Sequence, residues 1–298
     1  MSNIPPIPEV PNEIKDAVNK GTLAVFIGAG VSRLVGCEGW DTLARNLVGR
    51  CYSEGIINFK EKETLSQISD HKKTITICYN LFKNKKKEDI FYEEMKISLK
   101  ESSDIAKPNI YDDIFKLRGL FITTNADTHF DRLFQSANIL CRDSDFRADG
   151  LDRTNLYHIH GSVTNRNSLI FTVTEYMKRY TQDEDFRRFL QKIFREFTVL
   201  FLGYGLTEFE ILDFIIRNNS PGTAPKHFML SAFYRGEDNI LSYEQIFYEE
   251  LGINVLAYEK DDKGYHQLIN VIKKWNEEIN QVTGYLHQTA QLIDDAVK

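Results

Sequence analysis

Four short apolar runs, each ending in small or polar residues, constrain the fold of this chain most. They are Leu23 to Ser32 (LAVFIGAGVS), Phe121 to Asp127 (FITTNAD), Tyr157 to Ser162 (YHIHGS) and Val199 to Gly205 (VLFLGYG). Runs of this kind are typical of parallel strands buried on both faces. Ligands of open α/β sheets bind beyond the carboxyl ends of such strands, so we expect the residues after the four runs to meet at one ligand site.

Helical spacing between these runs predicts the rest of the fold. One amphipathic stripe is formed by Trp40, Leu43, Ala44, Leu47, Val48 and Cys51. The pattern predicts helices over 12–19, 40–51, 186–197, 209–216 and 267–275, one helix starting at Pro108, and another after Asn125. It predicts strands over 22–27, 120–123, 156–160, 168–171, 199–202, 227–233 and 253–258. This alternation predicts an α/β fold with a doubly wound, mostly parallel sheet.

Composition narrows the class of protein. The net charge is −6 and the basic residues are dispersed apart from a cluster at Lys83, Lys85, Lys86 and Lys87, so no extended nucleic-acid footprint is predicted. Neither a signal peptide nor about 18 consecutive apolar residues is present, which favours a cytoplasmic chain that does not bind a membrane. The four cysteines, Cys37, Cys51, Cys78 and Cys141, form no C-x-x-C pair; we expect reduced, buried thiols and no metal site.

A glycine-rich turn joins the first strand to a helix. Gly28, Ala29 and Gly30 can bring backbone N–H groups close to a phosphate, or they can form a purely structural strand-to-helix turn. Arg33 stands where the dehydrogenase fingerprint has its third glycine, which disfavours hydride transfer.

The other three strand ends carry polar or flexible residues. Asn125 and Asp127 can face a ligand, but such residues also start turns and cap helices. His160 can act on a ligand or simply satisfy its own hydrogen bonds, and the adjacent Gly161 leaves room for a ligand to approach. The Gly203, Tyr204 and Gly205 turn can present amides to a ribose or phosphate, or serve only as a flexible turn.

Taken together, the GAGVS, TTNAD, HGS and GYG motifs resemble those of the NAD-binding domain of the sirtuin superfamily. Sirtuin deacylases usually carry a four-cysteine zinc module, whereas residues 163–198 contain no cysteine. Deacylases also have a GTS turn where this chain has GYG. The chain is therefore more similar to the zinc-free, sirtuin-like NAD hydrolases of bacterial anti-phage defence.

The resemblance implies roles for the motif residues. Gly28, Ala29, Gly30 and Ser32 would hold the pyrophosphate and the adjacent ribose, and Gly203, Tyr204 and Gly205 would lie on the adenosine side. Asn125 would position a water or the carboxamide, Asp127 would support the nicotinamide pocket, and His160 would contact the ribose and act as general base. No role follows for His158.

The resemblance also implies a reaction and an organisation. The expected reaction is hydrolysis of NAD+ to nicotinamide and ADP-ribose. Nicotinamide is a good leaving group, and the ribose carbon that it leaves becomes oxocarbenium-like. Alternatives are an NAD or ADP-ribose sensor, a protein deacylase and an ADP-ribosyltransferase. The lysine- and glutamate-rich composition and short helical spacings of the residues themselves predict a helical insertion at about 55–115, within one domain over 1–275. The polar 276–298 segment would contact an oligomer or begin a further region, and a homo-oligomer or a fused or adjacent NTPase or sensor would control activity.

Overall fold

A computed structural model of the chain describes residues 4–100, 107–205, 209–218 and 226–280. Within them, the strands are β1 (Leu23–Ile27), β2 (Leu120–Thr123), β3 (Ile139–Leu140), β4 (Leu156–His158), β5 (Thr198–Leu202), β6 (His227–Phe233) and β7 (Ile253–Glu259). They form one parallel sheet in the order β3-β4-β2-β1-β5-β6-β7. The predicted α/β class is therefore confirmed.

Helices lie before β1, between most successive strands and after β7. They are α1 (Asn12–Lys20), α2 (Ala29–Arg33), α3 (Trp40–Ser53), α4 (Phe59–Ser66), α5 (His71–Asn84), α6 (Glu88–Ser98), α7 (Ile110–Phe115), α8 (Val173–Met177), α9 (Glu184–Glu196), α10 (Phe209–Asn218), α11 (Asp238–Glu250) and α12 (267–280). A π-helical turn, Lys178–Gln182, follows α8 directly. The strand order reverses at β1, and ligands of such sheets bind at the carboxyl end of the strands beside the reversal.

One compact unit comprises the described residues within 1–26, 108–121 and 192–280. In it, β6 and β7 pair in parallel from His227 opposite Ile253 onward. The proline-rich N-terminal arm is attached to α12, because Trp275 Nε1 donates to the Pro8 carbonyl at 2.8 Å and Gln267 Nε2 donates to the Pro6 carbonyl at 2.8 Å.

The second compact unit comprises the described residues within 27–107 and 122–191. Helices α3, α5 and α6 pack around a buried cluster that includes Leu47, Cys78 and Phe91. Three helices, α4, α5 and α6, occupy 59–98, where the lysine- and glutamate-rich composition predicts helix. The four cysteines are free and buried. No helix in the described part of the chain is both long and apolar enough to cross a bilayer.

The helix predicted after Asn125 is wrong. The segment forms only short 3-10 turns at Asp131–Leu133 and Ser136–Asn138. The Asp127 side chain accepts a hydrogen bond from the His129 N–H at 3.2 Å, which closes a turn instead of a helix.

The strand predicted over 168–171 is also wrong. Leu169, Ile170 and Phe171 are buried, which explains their apolar character. Phe171 N–H bonds the Glu175 carboxylate that caps α8, so this backbone leads into a helix. The remaining elements are confirmed with small shifts at their ends. Most of the predicted C-terminal segment, 281–298, lies outside the described residues.

Candidate functional site

Backbone hydrogen bonds bring three of the four motif ends together. Thr124 N–H donates to the Ile27 carbonyl at 3.1 Å, and Ile159 N–H donates to the Thr123 carbonyl at 2.9 Å. These bonds hold the ends of β1, β2 and β4 side by side. Gly28, Asn125 and His160, which follow these ends, are therefore neighbours within one compact unit.

The Asn125 side chain heads a directed hydrogen-bond network. Its Nδ2 donates to the Gly28 carbonyl at 3.0 Å and to Ser32 Oγ at 2.7 Å. Ser32 Oγ donates to Asp127 Oδ2 at 2.6 Å. Because a carbonyl only accepts, the amide orientation of Asn125 is fixed.

This network changes what Asn125 can do. Both amide hydrogens are used within the protein. Among the described residues Oδ1 accepts no hydrogen bond, so this atom is left for a ligand, and it can only accept. The expectation that this side chain both donates to and accepts from a water is corrected accordingly. Ser32 is almost fully buried and connects Asn125 to Asp127. A direct contact from Ser32 to a phosphate or ribose stays a prediction.

A small, partly open pocket lies against this network. Its polar lining comes from Ser32, Glu38, Asn125 and Asp127, and its other walls are mostly apolar. The Trp40 and Phe171 rings meet edge to face with centroids 6.3 Å apart. The other lining residues are Ala29, Cys37, Gly39, Leu43, Met95, Leu99 and Ala126. Apolar walls with a few convergent polar groups are typical of sites for flat organic ligands.

The glycine-rich turn forms without unusual backbone geometry. Gly28 precedes α2 with φ −106° and ψ 178°, an extended conformation that any residue can adopt. Ala29 lines the pocket, whereas Gly30 lies inside the short helix α2. The phosphate-binding role of these residues stays a prediction.

His160 is buried between two tyrosines. Its Nε2 lies 2.7 Å from the Tyr180 hydroxyl, and its Nδ1 lies 3.4 Å from the Tyr176 hydroxyl. Tyr176 belongs to α8 and Tyr180 to the π-helical turn; their rings stack with an interplanar angle of 7°. Neither tyrosine was predicted as a site residue, because the sequence does not show that both hydroxyls lie beside His160. π-Helical turns are frequent at functional sites.

Burial and nearby positive charge keep the His160 ring neutral. Burial is the main cause that lowers its pKa to about 3, and the charges of Lys72 and Arg179 lower it further, against a hydrogen bond with the Thr124 backbone. Lys72 Nζ lies 4.3 Å from the centroid of the Tyr176 ring. His160 is therefore a hydrogen-bonding group near pH 7 and a weak proton acceptor.

Gly161 shapes the turn for a reason other than ligand access. Its φ is +80°, and a Cβ here would lie 2.1 Å from the Ser168 carbonyl oxygen. The expectation that Gly161 makes room for a ligand is therefore corrected, because the Ser168 backbone fills that space. Arg179 supports the same turn by donating to the Ile159 carbonyl at 3.2 Å.

His158 and Asp131 lie beneath Asn125. Nδ1 of His158 is 2.9 Å from the Asn125 carbonyl oxygen, and its Nε2 is 2.9 Å from Asp131 Oδ1. Burial opposes charge on this ring, but the Asp131 hydrogen bond and charge, the Asn125 carbonyl and the Asp127 charge together raise its pKa above the usual value. The motif resemblance assigns no role to His158, and Asp131 is not among the site residues predicted from the sequence.

Gly203, Tyr204 and Gly205 follow β5 in the other compact unit. Gly203 has a positive φ of 58°. The Tyr204 ring packs on Phe26 with centroids 5.3 Å apart, and its hydroxyl has no hydrogen-bond partner among the described residues. The predicted contact of this turn with adenosine stays a prediction.

A family model described as a SIR2-like domain matches residues 119–256. The match includes Asn125, Asp127, His160 and the Gly203–Gly205 turn, and it starts after the Gly28–Ser32 motif. Together with the parallel sheet, it supports a sirtuin-like domain. A SIR2-like domain indicates an NAD-related function. No curated protein matches the chain. Among the described residues, no group of three or more His, Cys, Asp or Glu side chains is arranged to hold a metal ion.

Proposed function

We propose that this domain hydrolyses the bond between nicotinamide and ribose in NAD+, giving nicotinamide and ADP-ribose. The observation that carries the proposal is the directed Asn125–Ser32–Asp127 network on the wall of a mostly apolar pocket. The SIR2-like match supports NAD as the substrate. The anti-phage NAD hydrolases that the motifs resemble point to hydrolysis.

The pocket suits the nicotinamide end of the substrate. A flat aromatic ring can lie against Trp40 and Phe171, which are both pocket-lining residues. The Asp127 carboxylate retains lone pairs beyond its two protein hydrogen bonds and can accept from the carboxamide N–H. Its negative charge also favours the positive charge of the bound nicotinamide and of the oxocarbenium-like centre that forms at the sugar.

Asn125 would orient the attacking water. Its free Oδ1 can accept a hydrogen bond from water, and the fixed amide holds this acceptor in one direction. The water then adds to the ribose carbon as the bond to nicotinamide breaks, and the proton that the water loses passes to solvent. Nicotinamide leaves with the bonding electron pair and becomes neutral, so its departure needs little help from an acid.

His160 would act as a neutral hydrogen-bond partner of a ribose hydroxyl. With its pKa lowered to about 3, it is poorly matched to full proton abstraction near pH 7. Its Nε2 is already bonded to the Tyr180 hydroxyl. A ribose hydroxyl must therefore either replace the Tyr180 hydroxyl as the partner of Nε2, or bond to the Tyr180 hydroxyl and reach His160 only through that hydroxyl.

The test is nicotinamide release from NAD+, followed by chromatography without any peptide. We expect the wild type to release nicotinamide and Asn125→Ala to lose at least about 100-fold in rate. His160→Ala should lose about tenfold or more. Asn167→Ala and His266→Ala change exposed residues of the same types and should leave the rate unchanged. Equal release by all five proteins would remove Asn125 and His160 from the mechanism.

A second candidate is a binding module that holds NAD+ or an ADP-ribose derivative without cleaving it. His160 is only 2% exposed. This burial limits its access to a ligand and favours binding without cleavage. Calorimetry shows whether NAD+ binds, and mass spectrometry of the recovered ligand distinguishes the two functions. Intact NAD+ after long incubation would support the sensor. Consumption only with an acylated peptide or an acceptor protein would indicate deacylation or ADP-ribosyl transfer.

We also propose that the hydrolase is regulated, because unregulated NAD+ loss is toxic. By analogy with anti-phage effectors, oligomerisation or a partner NTPase or sensor would switch it on. This part of the proposal rests on fold-level analogy. Mass measurement of the native particle, with nicotinamide release measured on each species, tests it: activity confined to one assembly supports control by assembly, and equal activity of all species contradicts it.

A further inference from the structure

His158 contacts the backbone of Asn125 but takes no part in the reaction proposed above. It is the last residue of β4, and only 1% of its surface is exposed. One ring nitrogen faces the Asn125 carbonyl oxygen and the other faces an Asp131 carboxylate oxygen, each at 2.9 Å. Asp131 lies in the first 3-10 turn after Asn125.

The chemistry of these two partners determines the charge of the ring. A backbone carbonyl has only lone pairs to offer, and so does a carboxylate. To bond both, the ring needs an N–H on each nitrogen, and a neutral imidazole has only one. The geometry therefore fits a positively charged ring that donates both ways, with Asp131 as its counter-ion. The other charged group that acts on the ring is Asp127.

We propose that His158 and Asp131 are positioning residues that clamp the Asn125 backbone, so that the free Oδ1 of Asn125 faces the pocket. Its consequence for catalysis rests on the proposed NAD+ hydrolysis. The charge and direction of the clamp do not depend on it.

The clamp completes the fixation of Asn125. Its N–H donates to Thr123 Oγ1 at 3.0 Å, and its Nδ2 is held by Gly28 and Ser32. The carbonyl is the remaining polar group of the backbone, and His158 holds it. A group that orients a water needs this kind of support, since small misplacements cost large factors in rate.

Two substitutions of His158 separate positioning from simple stabilisation. Asparagine places its Nδ2 near the position of the ring Nδ1, so His158→Asn can still donate to the Asn125 carbonyl. Glutamine places its Nε2 near the ring Nε2, so His158→Gln can reach Asp131 but leaves the Asn125 carbonyl without its donor. Both variants lose the buried charge pair, and both should lose stability to a similar extent.

The measured quantities are kcat and KM for nicotinamide release, taken where both variants are folded. We expect His158→Gln to lower kcat at least about tenfold below His158→Asn, with KM changed less than about threefold. Equal kcat values for the two variants would show that His158 only stabilises the fold, and would overturn the positioning role. If the wild type releases no nicotinamide, the proposed hydrolysis fails, and NAD+ affinity by calorimetry replaces kcat in the same comparison.

A spectroscopic test is independent of activity. In protein labelled with ¹⁵N at histidine, both ring nitrogens of His158 should carry a proton at pH 7. In Asp131→Asn the ring should lose one of these two protons at a lower pH than in the wild type. The wild-type kcat should fall on the alkaline side with the same titration, and this fall should also move to lower pH in Asp131→Asn. Asp131 is partly exposed, so this variant can fold where a His158 variant does not. A neutral His158 ring at pH 7 would overturn the clamp.

Discussion

The hydroxyl of Tyr180 lies 2.7 Å from Nε2 of His160, inside a shell that leaves the imidazole almost no contact with water. The ring of Tyr180 is itself packed against Phe186 with centroids 5.2 Å apart. The position of His160 therefore depends on a residue that lies 20 positions further along the chain.

Removal of this hydroxyl should cost stability. Tyr180→Phe leaves a buried ring nitrogen of His160 without its partner, and we expect the free energy of unfolding to fall by about 1–3 kcal/mol. Tyr176→Phe is the matched control, because the Tyr176 hydroxyl is 3.4 Å from the other ring nitrogen. Its removal should cost less than about 1 kcal/mol of unfolding free energy. Urea denaturation at pH 7 measures both. A loss in Tyr176→Phe equal to that in Tyr180→Phe would contradict the assigned hydrogen bond.

Replacement of Gly161 should lower the free energy of unfolding far more than replacement of another glycine with positive φ. In Gly161→Ala the new Cβ meets the Ser168 backbone, and we expect a loss of more than about 3 kcal/mol. Gly55→Ala has a similar φ of +67° with nothing within 4 Å, and should cost about 1–2 kcal/mol. Thermal denaturation gives both values. Similar melting temperatures for the two variants would show that the turn can move away from Ser168.

Acid should destabilise the protein partly through His227. Burial, helped by the Lys226 charge, lowers the pKa of His227 to about 3. Between the usual pKa of about 6.5 and pH 3, the unfolded chain binds this proton and the folded chain does not. Stability therefore falls as pH falls, by up to about 1.4 kcal/mol per pH unit for each such group. His160 contributes in the same direction.

His227→Asn tests this dependence. Nδ1 of His227 accepts from the Val199 N–H at 3.2 Å, and an asparagine Oδ1 can keep that bond while removing the titration. We expect a shallower loss of stability between pH 6.5 and 4 than in the wild type. Denaturation curves at a series of pH values measure the slopes. Parallel slopes would mean that His227 does not titrate differently in the folded and unfolded states.

The orientation of the Asn125 amide can be tested by a change of one atom. Asn125→Asp replaces the donor that faces the Gly28 carbonyl with an oxygen, so two acceptors meet at about the same distance. We expect Asn125→Asp to be less stable than Asn125→Ala by about 1–3 kcal/mol, although aspartate is closer in shape. Equal stability, measured by urea denaturation, would mean that the amide is not held by Gly28 and Ser32 as described.

The fold was largely predictable because its signal is local. The buried run of β1 and the apolar stripe of α3 each lie within fewer than 15 consecutive residues. The two wrong elements carry apolar residues for other reasons: Phe130 packs on Phe134 in a 3-10 segment, and Phe171 packs beside Trp40 in the pocket wall.

The site was predictable only in part. Asn125, Asp127 and His160 stand out because each follows a strand, and strand ends converge in parallel sheets. The roles of His158, Tyr176 and Tyr180 depend on which side chain meets which across separate elements, and one sequence does not encode these contacts in a readable pattern. The same holds for Gly161, whose neighbour Ser168 becomes visible only once the turn is folded.

The most direct test of the central claim is the product balance of NAD+ mixed with the wild-type protein alone. A ¹H NMR time course measures NAD+, nicotinamide and ADP-ribose together in one sample. We predict that NAD+ disappears while nicotinamide and ADP-ribose appear in equal amounts, with no acylated peptide present. Unchanged NAD+ over the whole course, in a sample where calorimetry shows that it binds, would contradict the hydrolysis.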